Sequence, residues 1–371
     1  MNAPSDPRDP GHTGSDPVFT TPRADPVTSI IPATQAAPAT PAASANPAGR
    51  VAPTTPVVPP SPSTLAAAAR TLGQALAEGE PGRLAARAVL EAELLQMPRF
   101  GLDLLAESHG AADVSALLAD NAPAVSRHDC QTLDSPVAVA AATLALIPRA
   151  RHHGVAATFL TGIAGFGRFA PFMRHLADAG LAGMAGTEGG PLVAPAGGRR
   201  GVLSTNPLAF AVGQGADRVV IDVATSAITL AAAKAARQQG SPLPEGAALD
   251  ADGQPTRDAA LMAALLPRGG MVGSLLGLIV ELLAGVIGGG RSASGERGAT
   301  ARRGVFLLAF DPAQAGDTDW PAGLAQLRND WQDAGGHWPS GRPLADDAPL
   351  PLNVIDRLDA TLSRLAATPA C

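Results

Sequence analysis

The sequence has no tyrosine, three tryptophans and nine phenylalanines, and its only lysine is Lys234. With so few aromatic side chains, platforms on which nucleic-acid bases could stack are scarce. The net charge of −6 is mild and forms no basic stripe, which argues against a phosphate-tracking surface. Cysteine occurs twice, at Cys130 and Cys371, too far apart for a disulfide framework or a C-x-x-C metal pair. No metal centre is therefore expected, and a reduced, cytoplasmic setting fits best. The N-terminus also lacks the basic region and apolar run of a signal peptide.

Proline, by contrast, is plentiful and unevenly placed. Residues 1–62 hold 15 of the 35 prolines, interleaved with Ala, Thr, Ser and Asp. Such a stretch buries too little apolar surface to offset its ordering entropy and reads as a disordered tail.

The folded body is expected from about Pro62 onward. A Ser/Pro cap signal opens a helix that Gly79 stops, and "RLAARAVLEAELLQM" (83–97) is a second helix of good formers. A helix over Pro136–His153, to be kinked or ended early by Pro148, precedes a strand near Val155–Leu160. Further along, a helix at Ala170–Ala179 leads to a short strand at Leu181–Ala185. A buried strand at Arg218–Val223 precedes a helix at Ala227–Gln239, and a late strand falls in 304–312. Helices and strands alternate, so the class is α/β. We divide the body into a helical region (63–135), a central α/β region (136–300) and a C-terminal strand with helices (301–371).

"LLPRGGMVGSLLGLIVELLAGVIGGG" (265–290) is the most apolar stretch, with Glu281 its one charge between Met271 and Gly289. It is marginal in length for a bilayer, and the central Glu281 would be costly there. A helix apolar all round is equally expected in the core of a large α/β protein, and we read it so. The glycine run at 287–298 follows a helix rather than a strand, so it reads as a loop and not a dinucleotide fingerprint.

"GVLSTNPLAFAVG" (201–213), "VVIDVATSA" (219–227), "PLPEGAALDADGQPTRD" (242–258), the apolar stretch, and "GVFLLAFDP" (304–312) occur in this order. Together they resemble the malate/L-lactate dehydrogenase-like oxidoreductases over roughly residues 80–345. The resemblance implies a non-Rossmann, mixed-sheet α/β fold and NAD or NADP as cofactor. It also implies hydride transfer on a small 2-oxo or 2-hydroxy acid or a cyclic imine, and a homodimer.

Such a transfer needs a proton donor and a cation for the carboxylate. Family members take these from a Ser-His-Gly turn, a nearby Arg, and an "L/F-P-R-Y/F" segment. Counting back from "MPRF" (97–100), the triplet falls on Glu91, Ala92 and Glu93, and the Arg on Gln96. A second family histidine falls on Gly165 in "GIAGFG". The turn that supplies a lysine near the cofactor reads "GGMVGSLLG", with Val272 at the lysine position and Leu275 at a glycine position. The catalytic positions are thus Ala92, Gln96 and Gly165, all without the expected chemistry. Cofactor-side positions that match are Thr205, Asn206, Asp222, Val223, Ala224, Gly273 and Ser274. Asp222 is also a candidate cap for the helix starting near Thr225, and "TNP" is ordinary turn chemistry.

Two functional readings follow. One is a divergent NAD(P)-dependent oxidoreductase that draws catalytic groups from elsewhere, among His109, His152, His153 and Arg168. The other is a catalytically silent homologue that keeps the fold for binding or assembly.

Overall fold

The computed structural model describes residues 62–108, 110, 112–119, 123–290, 303–316, 318–341 and 343–367. The expected tail therefore lies outside the described residues apart from Pro62, as do His109 and the glycine run beyond Gly290.

Helices α1 (Leu65–Leu76) and α2 (Gly79–Leu94) form a tight hairpin. Leu65, Ala68, Ala69, Leu72 and Leu76 line one face of α1 at helical spacing and are buried. The two helices cross at glycine: a Cβ at Gly82 would overlap the carbonyl oxygens of Gly73 and Ala77. A short α3 (Ser115–Leu118) and strand β1 (Val125–Asp129) precede α4 (Ser135–His153). Pro148 does not end α4 early; the helix runs through it to His153. Leu146, Arg149 and Ala150 on either side of it are buried, so packing holds the two halves together despite the missing N–H.

Strand β2 (Val155–Ile163), α5 (Ala170–Asp178), β3 (Ala182–Thr187), β4 (Leu208–Val212) and β5 (Val219–Val223) follow. Helix α6 (Leu230–Gln239) starts three residues later than expected, because the Thr229 hydroxyl accepts from the Ala232 N–H and fixes the N-cap there. Three two-residue strands, β6 (Ala248–Leu249), β7 (Pro255–Thr256) and β8 (Ala264–Leu265), make a small antiparallel sheet. Helix α7 (Met271–Val280) runs on into a π-helical turn, Glu281–Ile287. Strand β9 (Arg303–Phe310) and helices α8 (Trp320–Asp333) and α9 (Leu352–Ala367) complete the chain.

The main sheet has the order β1-β2-β9-β3-β4-β5. Only β1 and β2 are parallel; the other neighbours are antiparallel. This is a mixed sheet without the parallel winding of a Rossmann fold. Strand β9, from the C-terminal segment, lies between β2 and β3, so the late strand completes the centre of the sheet. The described residues form one unit. Helices α4 and α5 cover one sheet face above a core that includes Leu160, Phe172, Met173 and Leu307. The π-helical turn lies against the other face, where Val280 and Ala284 pack with Phe159, Met184, Leu208 and Phe306.

Here the expectation of a buried helix is corrected. Only one side of 271–287 is inside, and that side carries Gly273, Ser274, Gly277, Val280, Glu281, Ala284 and Gly285. The large residues Met271, Val272, Leu275, Leu276, Leu278, Ile279, Leu282, Val286 and Ile287 are exposed. The small side chains let the helix approach the sheet closely, which turns the bulky ones outward. Among the described residues, no helix is long and apolar enough to cross a membrane.

Candidate functional site

The position implied for the proton donor lies inside α2. Glu91, Ala92 and Glu93 are buried in its last turns. The Glu91 carboxylate accepts from the Arg174 guanidinium at 2.6 and 2.8 Å and from Arg87 Nε at 2.9 Å. Arg87 also donates to the Leu344 carbonyl at 2.8 Å and pairs with Asp346. Glu93 accepts the Leu102 N–H at 2.6 Å and pairs with Arg357, which reaches Asp103 at 2.6 Å. These carboxylates bind α2 to α5 and α9. Ala92 presents no group at all.

Gln96, at the position implied for the carboxylate clamp, is the left-handed residue of a helix stop. Its φ is +58°. Met97 N–H donates to the Ala92 carbonyl and Gln96 N–H to that of Glu93, at 2.8 and 2.9 Å. That pair of bonds is a Schellman motif, in which the residue at this conformation is most often glycine.

Gly165 sits in the loop between β2 and α5, exposed, where a Cβ would come within 2.8 Å of Leu104 Cδ2. Asp222, on β5, does reach this loop. Its carboxylate accepts the Ala170 N–H at 2.9 Å, so it caps α5 rather than a helix near Thr225. Burial pushes the Asp222 carboxyl above its ordinary range, against the opposing pull of the Ala170 and Phe169 N–H groups and Arg168. Arg168 is near enough to Asp222 for their charges to interact. His152 and His153 end α4, next to the start of β2. A nine-residue strand, about 30 Å long, separates that end from Gly165.

The cofactor-side positions come together, but mostly as scaffold. The Thr205 carbonyl accepts from the Thr225 N–H at 3.0 Å and hydroxyl at 3.1 Å. Asn206, fully buried with φ +33°, donates to the Gly277 carbonyl at 2.8 Å and to Glu281 Oε2 at 3.1 Å. Its Oδ1 has no donor among the described residues. The Ser274 hydroxyl accepts the Ala196 N–H at 2.7 Å. A Cβ at Gly273 would overlap the Arg268 carbonyl oxygen, so this glycine serves the turn's own closure. The Ala224 carbonyl accepts from Arg268 Nε at 3.3 Å, and Val223 is exposed. The Asn206–Glu281 bond escaped sequence reading; a lone buried Glu in an apolar helix was its only trace.

These residues do not fit a nicotinamide dinucleotide as the resemblance implies. Position 272 carries Val rather than a cation, and the Ser274 hydroxyl is already engaged by the Ala196 N–H. A separate concavity of about 420 Å³ is lined by Arg237, Ser241, Arg257 and Asp258 among others, and none of the nominated residues borders it. Among the described residues, no cluster of three or more His, Cys, Asp or Glu could hold a metal ion.

Comparison with known proteins accounts for the frame. A family model described as malate/L-lactate dehydrogenase matches residues 65–332. A Delta(1)-pyrroline-2-carboxylate reductase of Pseudomonas fluorescens is 44% identical over 176 residues, 45% of this chain and 52% of that protein. A (2R)-3-sulfolactate dehydrogenase (NADP(+)) of Chromohalobacter salexigens is 36% identical over 247 residues, 62% of this chain and 74% of that one. The chain thus spans about half the length of the first of these relatives. The structure of a putative malate/lactate dehydrogenase from E. coli superposes with TM-score 0.62 at 22% identity, covering 82% of this chain and 93% of that one.

Proposed function

The chain belongs to the malate/L-lactate dehydrogenase family, and from that premise we propose that it keeps the family scaffold while lacking the family's hydride-transfer chemistry. In that chemistry, NAD or NADP would exchange a hydride with a small 2-oxo or 2-hydroxy acid or a cyclic imino acid. The carrying observation is the unbroken, buried end of α2. Where a donor is needed at a substrate's carbonyl oxygen or imine nitrogen, Glu91 is spent on Arg174 and Arg87, and Ala92 offers nothing. General acid catalysis alone is typically worth ~10²–10⁴-fold, and an unoriented carboxylate loses positioning energy besides. The retained role is binding or assembly, as a homodimer in a cytoplasmic setting.

The test is turnover of NADH and NADPH with pyruvate, oxaloacetate, ureidoglycolate and cyclic imino acids, beside titration of NADH fluorescence. We expect no saturable fluorescence change and no rate near the ordinary enzymatic range of ~1–10³ s⁻¹; a rate in that range would refute the proposal. One observation favours a second reading, a weak divergent enzyme: burial pushes the Asp222 carboxyl above its ordinary range, with Arg168 near enough to pull against that shift. Under that reading Asp222→Asn abolishes whatever slow turnover is measured.

A further inference from the structure

The concavity of about 420 Å³ at the end of α6 borders none of the positions that the resemblance nominates. Two guanidinium groups, Arg237 and Arg257, line it together with the Asp258 carboxylate and the Ser241 hydroxyl, beside an apolar wall that includes Pro242 and Ala259. We infer that it is a binding site for an amino dicarboxylate, a small ligand with two carboxylates and one ammonium group, such as glutamate or aspartate. That ligand is neither substrate nor cofactor of the hydride transfer discussed above, and the site stands apart from the question of turnover.

The charges around this concavity are not spent on one another, and that carries the inference. Arg83, Arg218 and Arg328 each meet a carboxylate. Among the described residues Arg237 and Arg257 form no ion pair, although Asp258 borders the same space. Arg257 Nε donates to the Leu243 carbonyl at 3.1 Å, which fixes the guanidinium and leaves its terminal nitrogens open. A guanidinium held in this way takes a carboxylate through two parallel N–H bonds. Asp258 is anchored as well: its Oδ1 accepts the Ala260 N–H at 2.8 Å, and its own N–H donates to the Thr256 hydroxyl at 3.1 Å. Its second carboxylate oxygen is left to accept from a cation. The end of α6, at Gly240 and Ser241, turns the negative pole of the helix toward the same space and favours an ammonium there. Groups already anchored lose little freedom when a ligand arrives. The charge count then selects the ligand. Two arginines and one aspartate leave the wall with a single net positive charge. A plain dicarboxylate or a phosphate would satisfy the arginines but be repelled by Asp258. An amino acid with an uncharged side chain would leave one arginine unmatched. Two carboxylates and one ammonium match every group, and the volume lies within the ~300–1,000 Å³ of small-molecule sites.

Isothermal titration calorimetry on the full-length protein tests the site. L-Glutamate or L-aspartate should bind saturably, with a dissociation constant at or below about 1 mM. Glutarate and succinate, which lack the ammonium, and 4-aminobutyrate, which lacks one carboxylate, should bind at least ~10-fold more weakly. Arg237→Gln and Arg257→Gln should each weaken the amino dicarboxylate by ~10-fold or more. Arg237 is exposed and holds no ion pair among the described residues, so its variant should keep the wild-type circular dichroism and melting temperature. Asp258→Asn is the sharper variant: it should weaken L-glutamate and strengthen glutarate, which inverts the preference. Absence of saturable heat with both amino acids up to about 20 mM would overturn the inference. So would inorganic phosphate or glutarate binding the wild type as tightly as L-glutamate, or a preference that Asp258→Asn leaves unchanged. NADH turnover tests the silent reading independently: an active protein that binds glutamate overturns silence and leaves the site, and a silent protein that binds neither amino acid does the reverse.

Discussion

Helices α2 and α7 both carry positions that the sequence resemblance nominates for working residues, and they are built in opposite senses. The C-terminal half of α2 puts carboxylates inside, Glu91 and Glu93, each met by an arginine from a distant part of the chain. Helix α7 puts glycines and small residues inside and its large aliphatic side chains outside. Charge in the core is tolerated where partners satisfy it. Grease on the surface is tolerated where something covers it. The end of α2 is closed by ion pairs, and α7 leaves an apolar face outward.

The largest expected effect separates the two at once. Glu91→Ala leaves Arg174 buried without its carboxylate, and breaking such a pair costs about 3–5 kcal/mol. A single exposed substitution on α7, Leu278→Ser, should alter protomer stability by no more than about 0.5 kcal/mol. Urea unfolding of both variants, at a protein concentration low enough to keep the chain monomeric, measures the contrast. Equal losses would show that α2 and α7 are not opposites.

Restoring the family residue sharpens it further. Ala92→His places an imidazole where almost no surface is open, and overpacking of this kind costs about 1–3 kcal/mol. We expect a destabilised protein with no gain in NADH turnover. A gain would mean that the end of α2 opens onto a substrate site after all. Gln96→Gly works in the other direction. At φ +58° the side chain is strained, and its removal should stabilise by about 0.5–1 kcal/mol after the extra chain entropy of glycine. Loss of stability would show that the Gln96 side chain holds something the helix stop needs.

The sequence was legible where a local signal and the tertiary context agree. The runs in β5 and β9, and α5 between its loop and Ala179, fall within a few residues of expectation. Pro148 misled because the breaking signal is local, whereas the burial of Leu146 and Ala150 that overrides it comes from the packed core. The apolar stretch misled for a related reason: when every residue is apolar, periodicity does not tell inside from outside. The small residues at 273, 277, 284 and 288 do carry that information, since only they permit close approach to the sheet. Counting back from "MPRF" assigned the donor position to Ala92, but did not show the ion pairs that surround it. Glu91 finds Arg174 at a separation of 83 residues, and no local pattern announces such a pair. Asp222 likewise caps a helix 52 residues earlier, because β5 runs past the start of α5.

The smallest effect concerns pH, and it too divides the helices. His175 lies on α5 one residue beyond Arg174, and burial pulls its pKa below the ordinary 6.5. Glu80 and Asp178 oppose that shift and Arg174 adds to it. The folded chain therefore favours neutral His175. Its contribution is fully present above pH 6.5 and is lost as pH falls from there through the lower, folded value, because the unfolded chain takes up the proton first. His128, lowered by burial and by Arg149, acts in the same sense. Asp222 acts in the opposite sense: its ionised form is the disfavoured one when folded, so acidification relieves it. The clean measurement is the difference between wild type and His175→Gln, in which His128 and Asp222 cancel. Between pH 7.5 and 5.5 the wild type should lose unfolding free energy relative to the variant. A wild type that instead gains on acidification would show His175 to be stabilised as the cation by Glu80 and Asp178. Helix α7 carries no histidine, so the difference between wild type and Leu278→Ser should stay level over the same range.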